Sequence, residues 1–461
     1  MSLPAFGWIA IVCGAVLIGL PDRPRLHWLG VCSAMAVWGT LIATLAAQPR
    51  QLAIDAISND AVFAVAIALV WSLGFSTGIA SPATWGRRWL TLGGLTAVAS
   101  SRDWLLLGLG WELVRRATSS ARTAWAEISW WISLPFWLGA AAWLFCTGSW
   151  DFREMTVVLQ GAYAPADGAD AWGRPALVLP AGLCLMIFAT LIPCLTPSWR
   201  SQAEPEPVVA VTARQLAALF LIERCCRELH WGLEASLTWL LMVAAGIAWL
   251  CAVWQTVQPS RLDRLWLGCS YWHLAVALTW LLMDVANHTA AAVSRAPHLA
   301  ATLIRREMLH AILVLSGATA AVRLVARPGG PVRYLEELRG AGREQPLWAA
   351  LFLIPLASLM GLPLFWGGWL RWLSLIEQYN APQPGPNDTL MPHAGVLVVQ
   401  VLGTLCWIVL AGAVLTVFRT LLWEHPTAER LWRWGWWPSC LAAVAAVLLL
   451  AGGLVPSLWL P

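Results

Sequence analysis

Apolar stretches long enough to cross a bilayer recur from one end of this 461-residue chain to the other, each cut off from the next by arginine, proline or glycine. Nothing else in the sequence limits the possible folds as much. In hydrocarbon no water is present to satisfy backbone N–H and C=O groups, so runs of this kind must close their hydrogen bonds internally, as helices. A spanning helix needs roughly 20 apolar residues. The runs at 4–20, 27–47, 61–81, 88–100, 103–114, 125–147, 177–196, 208–226, 235–256, 264–286, 299–325, 347–377, 394–421 and 434–457 therefore predict about fourteen spans. The expected fold class is all-α: a polytopic integral membrane bundle, one transmembrane domain over residues 1–461. The first twenty residues carry neither a basic n-region nor a small-residue cleavage site, and are expected to be a retained first span.

Composition agrees. Hydrophobic residues make up 59% of the chain and charged residues 12%, against about 25% charged in a soluble globular chain. Too little polar surface exists to coat a water-soluble particle, so the bilayer is the expected surrounding. The net charge of +4 comes from arginines scattered over many loops, which gives no basic patch for nucleic acid. The eleven cysteines include no CxxC pair, and Cys13, Cys184, Cys251 and Cys406 sit inside apolar runs. There they read as small hydrophobes, so neither a metal nor any other cofactor is expected. The 34 tryptophans suit an interfacial belt, as at Trp130-Trp131 and Trp436-Trp437, or reflect an arginine- and tryptophan-rich background.

Two apolar runs are interrupted by proline, one near Pro193 and one near Pro363, with Gly361 and Gly367 flanking the second. Broken spans in two corresponding halves point to a pseudo-symmetric transporter core, because a proline frees backbone carbonyls at mid-membrane depth. A simple kink is the plainer alternative for either one.

The stretch from Tyr334 to Arg371, YLEELRGAGREQPLWAALFLIPLASLMGLPLFWGGWLR, resembles the proton-antiporter-like membrane subunits of respiratory complex I. It has the family's polar turn, Leu338-Arg339-Gly340-Ala341-Gly342-Arg343 followed by Pro346, and then the helix break Ser358-Leu359-Met360-Gly361-Leu362-Pro363. Trp104 to Arg116 resembles the family's glutamate-bearing helix and puts Glu112 on its membrane glutamate. Thr147 to Phe152, the segment from Pro193 through Trp199 to Pro205-Glu206-Pro207, and Tyr271 to Ala275 follow in the family's order. The resemblance covers roughly residues 100–375; loop spacing is closest to subunit N of the NADH–quinone oxidoreductases, with subunit M and Mrp-type cation antiporter subunits as near neighbours.

The resemblance implies a membrane-arm subunit that contributes to proton translocation coupled to quinone reduction, has no redox centre of its own, and works beside other membrane-arm subunits. It also implies an energy-transducing membrane, the bacterial cytoplasmic membrane. In this family a buried glutamate is coupled to desolvated lysines, whose pKa falls toward neutrality so that they take and release a proton. This chain contains no lysine. The family's positions fall at about Phe188 and Ala217, with Arg214 a near neighbour of the second, and at Arg371. Arginine stays protonated inside proteins, so Arg371 can hold a carboxylate but cannot relay a proton. Glu112, Glu223, His273, Asp284, Glu307 and His310 are the candidates to line a proton path in the lysines' place. The plainer alternatives are local ion pairs: Glu112 with Arg115 and Arg116, Glu223 with Arg224, Glu307 with Arg305 and Arg306. A structural, non-pumping homologue in the same kind of complex is the competing reading.

Overall fold

The structure is a computed structural model that describes residues 3–20, 82–101, 103–118, 125–163, 175–195, 206–228, 234–257, 261–290, 298–327, 330–380, 390–426, 430–432 and 434–455. The expected spans at 27–47 and 61–81 lie outside the described residues. The described chain is helical almost throughout: α1 (Leu3–Gly19), α2 (Pro82–Ser100), α3 (Trp104–Thr118), α4 (Trp125–Thr147), α5 (Phe152–Tyr163), α6 (Pro175–Leu195), α7 (Glu206–Glu228) and α8 (Glu234–Thr256). They are followed by α9 (Leu262–Ala290), α10 (His298–Arg323), the short α11 (Ala341–Glu344), α12 (Pro346–Leu359), α13 (Trp366–Asn380), α14 (Leu390–Leu422) and α15 (Trp436–Leu454).

Three of these are long and apolar enough to cross a membrane by length and composition alone: Leu237–Thr256, Leu262–Val285 and Ala394–Leu422. Shorter apolar helices surround them, among them Trp8–Gly19, Trp131–Thr147, Val178–Cys194 and Pro438–Leu454. Large apolar side chains point outward all around, including Phe145, Trp131, Val398, Leu405 and Val447. A soluble bundle would bury such residues; an outer face of this kind is matched to acyl chains.

An 18-residue stretch within Leu262–Val285 of α9 is enclosed, while Arg264 near its start stays exposed. It lies between α8, α10, α7 and α14, so residues on every side of it meet protein. That explains why its sequence is apolar all round rather than along one stripe. Buried side chains from Leu95 to Leu449 form one continuous core, and α1 packs against α2 in a smaller separate one. Paired glycines set several crossings at backbone contact: Gly14 with Gly86, Gly94 with Gly110, and Gly139 with Gly182. This is the small-residue packing of membrane helices, where lipid offers no hydrophobic penalty to drive association.

Beside the helices, Val325–Arg327, Gly330–Pro331 and Leu431–Trp432 form a small antiparallel sheet with the first strand in the middle. Residues 152–163, between two of the expected spans, form α5, which buries Phe152 and Met155 and exposes Arg153, Glu154 and Val157. Helix α2 begins at Pro82, ahead of the expected span at 88–100. Helix α6 runs through Pro193 as far as Leu195, the last residue described there. Residues 196–205, where the rest of that expected break falls, lie outside the described residues.

The second break is real, and its sequence explains it. Leu362 N–H bonds the carbonyl of Ala357 at 3.2 Å and Gly361 N–H that of Ser358 at 3.0 Å, which is the Schellman closure of a helix. Gly361 takes φ 78°, a left-handed conformation that costs an L-residue about 1–2 kcal/mol. Pro363 follows two residues on and cannot continue the helix. The chain then restarts at Trp366, and Gly367 passes so close to Ser358 that a Cβ there would overlap the Ser358 carbonyl. Trp407 of α14 donates to the Met360 carbonyl at 3.1 Å, which satisfies an acceptor that the break exposes.

Candidate functional site

Ionisable and polar side chains inside this apolar bundle collect into a few groups. The tightest stands beside the helix break. Glu307 of α10 is fully buried, and its carboxylate meets His273 Nδ1 of α9 at 2.6 Å. The oxygen that His273 meets, Oε1, also accepts from Arg371 Nη2 of α13 at 2.9 Å, and Arg371 Nη1 donates to Oε2 at 3.3 Å. His310 lies one helical turn beyond Glu307 on the same face, with its ring 5.2 Å from that of His273 and nearly perpendicular to it. His310 Nε2 meets Ser358 Oγ at 2.8 Å, and the same oxygen accepts the Gly367 N–H at 3.1 Å. The Arg371 guanidinium also lies over the Trp272 ring, 5.4 Å from its centroid, a cation–π contact that fixes its plane.

Glu307 takes Arg371 and His273 as partners, from two other helices. Arg371 does what its chemistry permits: it holds a carboxylate bidentately. His273 Nε2 and His310 Nδ1 are buried without a hydrogen-bond partner. Two imidazoles and a carboxylate thus meet in one buried cluster, and one nitrogen of each ring has no protein partner. Such a unit can accept, hold and pass a proton, or bind an electrophilic ion.

Glu112 forms a second group between α3 and α4. Arg115 Nη2 reaches its Oε1 at 2.6 Å and Arg115 Nε its Oε2 at 2.9 Å, while Arg116 Nε also reaches Oε1 at 2.6 Å. Ser133 Oγ donates to Oε2 at 3.0 Å. Glu112 is therefore buried and bound to the two arginines next to it in sequence. Trp131, Ser133, Leu134 and Trp137 wall an adjoining cavity of about 580 Å³ that is open on one side.

Arg214 of α7 is buried within electrostatic reach of Cys194, Tyr271 and Arg115; Tyr271 stands two residues before His273 on α9. Arg214 Nε and the Tyr271 hydroxyl are both buried without a hydrogen-bond partner. One residue further along α7, Gln215 bonds to Ser270, which also meets Thr212 at 3.1 Å. Glu223 and Asp284 converge elsewhere, both close to Cys226. Of the other positions expected from the resemblance, Phe188 is 54% exposed on the outer surface and Ala217 is fully buried. The structure thus brings His273, His310 and Arg371 together, holds Glu112 in a separate group with Arg115 and Arg116, and places Glu223 and Asp284 near Cys226.

Ser358, Tyr271 and Ser133 belong to these groups although sequence reading gave them no role. Ser358 stood in the quoted motif, and the Glu307–His310 spacing already put two functional groups on one helix face. The contacts to His273 and Arg371 join residues 34 and 64 positions away from Glu307, and no local pattern announces such pairings.

No family model matches the chain. NADH-quinone oxidoreductase subunit 14 of Thermus thermophilus is 35% identical to it over 127 residues, which is 28% of this chain and 26% of that protein. The match thus spans about a quarter of the relative's length. In fold the likeness is nearly complete. A chain of respiratory complex I from Thermus thermophilus superposes with a TM-score of 0.68 at 18% identity, covering 99% of this chain and 98% of the other. A chain of the Mrp complex from Dietzia sp. DQ12-45-1b gives 0.69 at 16% identity, covering 99% and 94%. The chain shares the fold of these membrane subunits along essentially its whole length.

Proposed function

We propose that the chain is a membrane-arm subunit of a complex I-type NADH–quinone oxidoreductase and contributes to proton translocation coupled to quinone reduction. It would carry no redox centre and make no product alone; its partners are the neighbouring membrane-arm subunits and the lipid around them. We read it as one membrane domain of about fourteen spans, with an antiporter-like core at about residues 100–375, in the bacterial cytoplasmic membrane. The observation that carries the reading is the buried His273–Glu307–His310–Arg371 cluster at the interrupted helix. Ionisable groups inside a membrane bundle are expensive, and they persist where they serve an ion or proton path.

In this reading the lysines' titrating work passes to histidine. Arg371 supplies a fixed positive charge and pins Glu307; His273 and His310 hold the exchangeable proton; Ser358 connects them to the break. Arg214, buried within electrostatic reach of Arg115 and Tyr271, adds a fixed positive charge to the path. Glu223 and Asp284 would serve a connection at the end of α7.

A second reading, a structural and non-pumping homologue in the same kind of complex or in an Mrp-type assembly, is favoured by one observation. Glu112 is already bound to two arginines that cannot release a proton. Proton flux measured on the whole assembly in liposomes, at matched electron-transfer rate, separates the two. Pumping through this subunit predicts that His310→Gln lowers the protons moved per electron pair, and that Arg371→Ala does so as well. An unchanged ratio in both variants leaves only the structural reading.

A further inference from the structure

Glu307 and His310 are three residues apart on α10, the Glu-x-x-His spacing with which helical bundles present two metal ligands on one face. His273 enters from α9, which packs along α10. Each of the three offers one ligand atom, and these atoms all lie within 4.8 Å of one another. All three side chains are buried, at 0–1% exposure. His273 Nε2 and His310 Nδ1 have no hydrogen-bond partner, although a buried polar atom left unsatisfied costs about 1–3 kcal/mol.

We propose that His273, Glu307 and His310 form a binding site for a borderline divalent transition ion of the Zn²⁺ class. Two imidazoles and one carboxylate are the donor set of such ions, with an open fourth position for water; Mg²⁺ and Ca²⁺ call for more oxygens than the cluster supplies. With metal–ligand bonds of about 2.0–2.1 Å, tetrahedral donors stand roughly 3.3 Å apart. Reaching that spacing requires the side chains to move, with the 2.6 Å contact between His273 Nδ1 and Glu307 Oε1 opening to admit the ion. Arg371 keeps its bond to Oε2 and orients the carboxylate, as outer-shell partners of metal ligands do.

The charge balance sets the character of the site. Arg371 already offsets Glu307, so an added divalent ion carries uncompensated positive charge into the bundle. The site therefore binds and releases its ion and is no permanent structural centre. Metal binding needs the imidazole lone pairs free, so ion and proton compete for the same two rings. An occupied site would hold the histidines still and stop whatever proton traffic they carry. The inference goes beyond the proposed function and does not depend on it, because it requires only that the three side chains meet as they do.

The test uses the purified full-length chain in detergent, with Zn²⁺ for binding and Co²⁺ as the spectroscopic probe. Expected are one ion per chain, the visible spectrum of four-coordinate Co²⁺, and zinc K-edge absorption with nitrogen and oxygen neighbours only. His273→Gln and His310→Gln should each weaken binding by at least about 10–100-fold, and Cys226→Ser should leave it unchanged. Binding that survives both histidine substitutions, or sulfur in the first shell, overturns the site. So does a Co²⁺ spectrum of six-coordinate aqueous type. The two measurements on the unaltered chain decide the matter even where a substituted protein fails to fold. Proton flux enters none of these readouts, so the metal site and the proposed function stand or fall separately.

Discussion

The buried glutamates Glu112 and Glu307 each meet a counter-charge, and they differ in where they find it. Glu112 is satisfied within a turn of its own helix, by Arg115 and Arg116, and Glu307 only by tertiary contact with Arg371 and His273. Removing one member of a buried pair strands the other, typically at about 3–5 kcal/mol. Glu307→Gln should therefore lower the thermal midpoint of the purified chain clearly. Adding Arg371→Gln should restore part of the loss, because the stranded charge is then gone. Strictly additive midpoints in that double-mutant cycle would show that the pair is not coupled as drawn. Glu112 was legible in the sequence, since a carboxylate and its arginines sit side by side there. Glu307 was not: the adjacent Arg305 and Arg306 offered a nearer explanation, and the true partners come from two other helices. Tryptophan was half legible. Trp131 and Trp436 face outward as a belt requires, whereas Trp104, Trp111, Trp143 and Trp348 are fully enclosed. Indole N–H groups of Trp143, Trp348 and Trp369 donate to carbonyls of neighbouring helices at 2.7–2.9 Å. Arginine-free core positions can thus still tie helices together, a use that composition cannot distinguish from a belt.

At the scale of elements the interrupted helix is the feature with most consequences. Its glycines, its proline and its serine all have separate jobs, and each was visible as a letter before its job was. Gly361→Ala places a Cβ in a left-handed residue and 2.9 Å from Arg371 Cγ. The expected cost is about 1–2 kcal/mol from the backbone alone, seen as a lower midpoint in thermal unfolding. Arg371 would be displaced from Glu307 as well, so Gly361→Ala should weaken Zn²⁺ binding without touching a ligand. Gly367→Ala should be worse, because its Cβ meets backbone and not a movable side chain; about 3 kcal/mol or failure to fold is expected from overpacking at such a crossing. A variant that folds with wild-type stability would mean the two half-helices are not crossed this closely. The polar turn before α12 illustrates the same division. Gly340 and the arginines were readable as a loop, but not that Arg343 donates to the Leu422 and Trp423 carbonyls at 2.8 and 2.9 Å. That contact caps the end of α14, some eighty residues later in the chain.

For the whole molecule, the outer surface and the interior ask opposite things of a side chain. On α14, Leu405 faces outward while Cys406 and Leu410 face the core. Leu405→Arg should hinder integration into the bilayer by about 2.5–3.5 kcal/mol if that face meets lipid near mid-depth. Glycosylation-mapped insertion of the segment measures this directly, and undiminished insertion would place that surface against a partner subunit or water instead. The enclosure of α9 has a consequence for how the protein is made. A helix that ends with protein on all sides gains nothing lasting from lipid, and α10 and α14, which help enclose it, are synthesised after it. While the chain is still emerging, Ser270 and His273 must face acyl chains or the insertion machinery. The order of synthesis thus leaves α9 as the segment most in need of shelter, and a chain stopped at residue 291 should be the form that quality-control proteases remove fastest. The closing of α10 over it would then complete the core and the buried cluster in a single event.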